Sequence, residues 1–142
     1  MAFDIGNMAT DQEMENEGVW VDCPGGLRLR IARMGNANFR QYVLKHRKVI
    51  QRQMQFGGME EDVSQLEEIS LRGMASEILK DWENMVEKEK KIKYTSDEAY
   101  RLLKEYPEFQ RLVEGLAEDV ELFRGEEEAK ALGNSASSSS GK

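Results

Sequence analysis

The sequence predicts a mainly α-helical domain with a small N-terminal β-hairpin, an α+β fold that is compact and helical with disordered termini. Three observations carry that reading. Residues 19–31 alternate apolar and polar side chains with the period of a half-buried strand, interrupted by CPGG. Later stretches repeat apolar residues every three or four positions as far as Phe123. The two ends, MAFDIGNMATDQEMENEG and NSASSSSGK, show neither pattern.

The chain therefore divides into an acidic flexible arm (1–17), a single domain (18–124) and a flexible Ser/Gly-rich tail (125–142). In the hairpin (18–34), Leu27, Leu29 and Ile31 face inward and the arginines outward. Pro24 and Gly25 suit the centre of a type II turn. A lone hairpin is marginal in water and must lean on the helices that follow. Asn36 is the N-cap of a helix over 36–56, with Phe39, Tyr42, Val43, His46, Val49 and Ile50 on one face. Gly57-Gly58 ends it.

A longer helix is expected over 60–89, because Leu71, Ala75, Ile78, Trp82 and Met85 recur at four, three, four and three. Gly73 weakens its middle by roughly 1 kcal/mol relative to alanine. A helix pair over 94–123 completes the domain. Thr95-Ser96-Asp97-Glu98 is a capping box, Ala99, Leu102, Leu103 and Tyr106 form one stripe, and Phe109, Leu112, Val113, Leu116, Val120 and Phe123 a second. Pro107 breaks the first helix and suits the first turn of the next.

Charge is segregated. Residues 1–22 carry six acids and no Lys or Arg, residues 23–58 carry eight bases and no acid, and the whole chain has a net charge of −7. A basic block within an acidic chain can neutralise its own arm or attract an acidic partner. No apolar run approaches the roughly 18 residues that span a bilayer. The acidic N-terminus lacks the pattern of a signal peptide, and the single Cys23 fits a reducing compartment.

Enzymatic chemistry finds little footing. His46 sits among Lys45, Arg47 and Lys48 without an acid or a companion ligand, and reads as a half-exposed helix histidine. Cys23 reads as an ordinary turn cysteine. Glu60-Glu61-Asp62 lies at a helix start, where the dipole already favours it. No phosphate loop, dinucleotide fingerprint or zinc spacing is present, so no catalytic residue, cofactor or metal is assigned. Nucleic-acid binding is disfavoured by the acidic total and by Phe39 and Tyr42 falling on the apolar helix face. Of eight methionines, Met54, Met59, Met74 and Met85 lie in or beside the helices, where they suit either ordinary core filling or a surface that adapts to other proteins.

The block ILKDWENM followed by KIKYTSDEAYRLLKEYPEFQRLVEGLAEDVELF resembles the C-terminal half of the tail assembly chaperones of long-tailed, lambda-like bacteriophages. The matching positions are Ile78, Leu79, Trp82, Ile92, Tyr94, Thr95, Glu98, Ala99, Leu102, Leu103, Pro107, Phe109 and Phe123. Upstream, GVWV…LRLRIARMGNANFRQYV is similar to that family's hairpin, so the resemblance spans roughly residues 18–124. It implies a non-enzymatic assembly factor of the bacterial host cytoplasm that is absent from the mature virion. Such a factor binds and solubilises the tape measure protein and helps recruit the tail tube protein. It also implies, for many members, a longer frameshifted product, which sequencing the gene for a slippery run near Gly141-Lys142 would test.

The expected partner surface is a groove lined by Ile78, Trp82, Met85, Leu102, Leu103, Phe109 and Leu112, or the core beside it. The basic block around Arg40, Arg47 and Arg52 would meet acidic segments. Hairpin edges and helical stripes also leave room for self-association. The alternative reading is a small helical adaptor or regulator using its basic helix on nucleic acid.

Overall fold

The computed structural model describes residues 2–57 and 63–125. The Gly58 stop, the Glu60–Asp62 acids, Met59 and the tail from residue 126 lie outside these residues. The architecture is mainly helical with a small antiparallel sheet, an α+β fold.

Strands β1 (Val19–Asp22) and β2 (Arg28–Ile31) form the expected hairpin, with Val19 opposite Ile31 and Val21 opposite Leu29. Gly25 adopts φ 78°, ψ 17°, the backbone that the third position of a type II turn demands and that glycine reaches without steric cost. Leu29 and Ile31 are fully buried. On the outer face Arg28 bonds Asp22 at 2.8 Å and Glu83 at 3.1 Å, lacing three strands together.

That third strand replaces the helix expected over 60–89. Helix α3 (Val63–Glu77) stops after Glu77, and the chain turns into β3 (Leu79–Glu83), antiparallel to β2. Leu29 faces Trp82 and Ile31 faces Leu79, with a bulge between Arg30 and Ile31. The spacing of Ile78, Trp82 and Met85 was helical, yet the free edge of β2 needs backbone partners. Pairing satisfies them while burying Leu79 and Trp82 in the same core.

Helix α2 (Ala37–Gly57) begins where expected. Asn36 is buried and fully used: its Oδ1 accepts from the Phe39 N–H at 3.0 Å, while its amide donates to the carbonyls of Arg33 (2.8 Å) and Glu77 (3.2 Å). One side chain thus caps α2 and ties it to the end of α3. Phe39, Tyr42, Val43 and His46 are half-buried as expected, but Val49 is exposed. Gly73 does not break α3. A Cβ there would lie 3.0 Å from Phe39 Cε2 and 3.1 Å from Tyr42 Cδ1, so glycine is what allows α2 and α3 to approach.

Helices α4 (Ser96–Glu105) and α5 (Pro107–Glu118) follow the expected pair closely. Thr95 Oγ1 accepts from the Glu98 N–H at 3.0 Å, but the reciprocal half of the capping box is missing. The Glu98 carboxylate turns to Arg101 instead, at 2.7 Å. After α5 a 3-10 turn (Val120–Phe123) delivers Phe123, fully buried, into the core formed by the sheet, α3, α4 and α5. Each such large apolar side chain contributes roughly 1.5–3 kcal/mol.

The acidic arm is less free than expected. Asp11 caps a short helix α1 (Gln12–Glu17), accepting from the N–H groups of Glu13 and Met14. Backbone bonds from Asp11 N to Phe123 O (2.8 Å) and from Arg33 N to Glu15 O (2.9 Å) dock it. Glu15 is buried and pairs with Arg33 at 2.5 Å, so self-neutralisation reaches Arg33 and not α2. Residues 2–9 are exposed throughout, with Phe3, Ile5 and Met8 open to solvent.

Candidate functional site

Between β3 and α4 the chain makes a second, two-stranded hairpin from β4 (Val86–Glu87) and β5 (Lys90–Lys91). Its turn residues Lys88 and Glu89 have φ of 48° and 72°, and Asn84 before it has φ 63°. Left-handed backbone is costly for residues that carry a Cβ. The surroundings must therefore hold the hairpin in place, and three contacts do.

Trp82 Nε1 donates to the Ile92 carbonyl at 2.7 Å, at the far end of the hairpin. The Tyr94 hydroxyl lies 2.7 Å from the carbonyl oxygen of Leu79 and 3.1 Å from that of Ala75. Its ring meets Trp82 edge-on at 5.0 Å between centroids. Burial, with Asp81 and Glu77 nearby, pushes the Tyr94 phenol up to about 12, so it stays a neutral donor. At the hairpin tip Arg101 of α4 grips Glu87 through two bonds of 2.9 and 3.2 Å. Tyr106 donates to the same carboxylate at 2.5 Å. Arg101 first and Tyr106 second hold Glu87 at about 2, well below the usual carboxylate range.

The hairpin so fixed stands off the α4–α5 joint and encloses a groove of about 440 Å³. Met85, Val86 and Ile92 form one wall; Leu102, Tyr106 and Phe109 form the floor and the other wall. Glu87 and Lys88 close the tip. Val86 is 52% exposed, and Tyr106 and Leu112 are exposed on the same helix pair. Pro107 makes the joint: α4 ends at Tyr106, which also precedes the first residue of α5.

Of the seven apolar candidates, Met85, Leu102 and Phe109 line this groove. Ile78, Trp82 and Leu103 are buried in the core behind it, and Leu112 is exposed outside the lining. Val86, Ile92 and Tyr106 complete the groove and were not among the candidates. The signal for Ile92 was the Ile92-Lys93-Tyr94 alternation, which marks extended chain instead of helix; Val86, followed by five charged residues, had none. Arg40, Arg47 and Arg52 are exposed on α2 and take no part in the groove. Nor do they form one block. At 100° per residue Arg40 and Arg47 share a flank, while Arg52 lies with Lys45 and Lys48.

His46 stacks on Tyr42 at 4.1 Å, its Nδ1 2.8 Å from the Tyr42 carbonyl, which places the proton on Nδ1. Burial and Asp22 push the Cys23 thiol up, away from thiolate character. No group of three metal-ligating side chains occurs among the described residues, and no described helix is long and apolar enough to cross a membrane.

A protein-family model described as "YdaY prophage protein" matches residues 34–134, a span that takes in every helix from α2 to α5. No curated protein and no solved structure matches the chain.

Proposed function

Starting from a chain that belongs to the YdaY prophage protein family, we propose that it is a phage tail assembly chaperone. In this reading it makes and breaks no bond. Its groove shelters apolar segments of the tape measure protein in the host cytoplasm, and it leaves before the particle is finished.

The observation that carries the reading is the clamped apolar groove between β4–β5 and α4–α5. A tape measure protein is a long helical chain with apolar stretches, which aggregate unless covered. Helix-in-groove recognition needs an apolar trough that accepts side chains spaced three and four apart. Here the trough itself exposes Val86 and Tyr106, and exposed Leu112, one turn beyond Phe109 on α5, adds apolar surface outside the lining. Its walls are held by Glu87–Arg101 and by Trp82–Ile92, so little order is lost on binding. A groove of this size gives modest affinity per site. Copies along the chain would keep it soluble and still yield when tail tube subunits gather around it. The residues that carry the chaperone resemblance, Trp82, Ile92, Tyr94, Leu102 and Phe109, build the groove or brace it from behind.

The test is co-expression with the tape measure protein of the prophage that encodes this chain. The wild type should raise the soluble fraction of that protein several-fold. Val86→Glu with Leu112→Glu, both at exposed positions, should abolish the gain while circular dichroism stays unchanged. An equal soluble fraction with and without the wild type would end the proposal.

A further inference from the structure

Helix α2 carries five bases, Arg40, Lys45, Arg47, Lys48 and Arg52, and no acid, in a chain whose net charge is −7. Among the described residues none of the five reaches a carboxylate within salt-bridge distance. The helix uses its Phe39–Tyr42 face against α3, with His46 stacked on Tyr42. Its outward face is a second stripe, Gln41, Leu44, Lys45, Lys48, Val49 and Arg52, spaced three, one, three, one and three. This stripe bounds a shallow recess of about 470 Å³. Leu44 is 57% and Val49 50% exposed, set between the cations.

We infer that this stripe docks an acidic amphipathic helix supplied by a partner protein. The two apolar side chains meet the partner's apolar ridge, and Lys45, Lys48 and Arg52 meet its flanking carboxylates. Three features select that occupant. A phosphate backbone would use the cations but gain nothing from an exposed leucine and valine at their centre. A second copy of the same stripe would set cations against cations. No acid interrupts the five bases of α2, whereas Lys88, Lys90, Lys91 and Lys93 of the second hairpin alternate with Glu87 and Glu89, so an acidic helix is drawn most strongly to α2. The inference is independent of the groove, which lies on other elements and is largely apolar.

The probe is a synthetic Glu/Leu peptide with leucines every three or four residues, titrated into the isotopically labelled full chain. Expected are NMR shift changes centred on Leu44, Lys48 and Val49, with the groove signals unmoved and affinity falling as salt rises. Lys45→Glu with Lys48→Glu, and separately Leu44→Asn with Val49→Asn, should each weaken binding about tenfold at unchanged thermal stability. No binding, equal binding of a peptide with scrambled order, or tighter binding of a DNA duplex would overturn the inference. So would α2 signals that move on deletion of residues 126–142, which would assign the stripe to the chain's own acidic tail.

Discussion

The groove and the outward stripe of α2 are two exposed apolar surfaces built on opposite rules. The groove is concave and its carboxylate is spent: Glu87 is taken by Arg101 and Tyr106, and Arg101 also by Glu98 and Glu105. What remains for a partner is shape, apolar area and the single ammonium of Lys88 at the tip. The α2 stripe is shallow, and its apolar residues sit among cations that bond no carboxylate among the described residues. Under the two proposals, the difference is how one small domain would hold two kinds of helix. A preorganised trough discriminates by fit, whereas a charged ridge discriminates by sign.

The sharpest way to break the comparison is to remove the brace behind the groove alone. Trp82→Ala should cost about 3–5 kcal/mol, from the cavity and the lost bond to Ile92. Denaturant unfolding would show this as a lowered midpoint. Lys45→Glu with Lys48→Glu on α2 should stay within about 0.5 kcal/mol of wild type, as exposed substitutions do.

A smaller effect separates the two surfaces mechanically. Gly73→Leu would drive a side chain into Phe39 and Tyr42, with an expected loss of about 1–3 kcal/mol. Hydrogen exchange should then rise in α2 and remain slow in α4. Equal loosening of both helices would show that the groove depends on α2.

The hairpin turn offers a gain instead. Lys88→Asn with Glu89→Gly suits two consecutive left-handed residues and should stabilise the fold by about 1 kcal/mol, read as a raised melting temperature. Peptide binding at α2 should not change.

The mildest probe is acid. Glu87 titrates lower in the folded chain, at about 2, than its ordinary value of 4.5. Its pairing therefore contributes fully above pH 4.5 and fades as pH falls from there through about 2. Hairpin amides should lose exchange protection across that window, and Arg101→Gln should flatten the response. Amides of α2 should not follow it.

The two sides of the groove differ in how far the sequence announced them. Thr95, Pro107 and the apolar stripes to Phe123 specify the α4–α5 pair through contacts a few residues apart, so local pattern sufficed. Residues 78–94 could not be read that way. Ile78, Trp82 and Met85 fit a helical period, and what decided otherwise was the unpaired edge of β2 far upstream in the chain. With β3 misread, the groove wall at Val86 was invisible, and Trp82 stood between partner surface and core; the structure puts it in the core, bracing the wall from behind. Gly73 misled for a similar reason: its use lies in the approach of Phe39 and Tyr42, which no window around residue 73 contains.

The most direct measurement of the central claim is hydrogen exchange on the purified complex with the tape measure protein. The account predicts new protection in Val86–Glu87, in Ile92 and across the Tyr106–Phe109 joint, lost in the Val86→Glu, Leu112→Glu variant. A complex that forms equally well with that variant, or that protects other elements and leaves this groove exchanging freely, would contradict it.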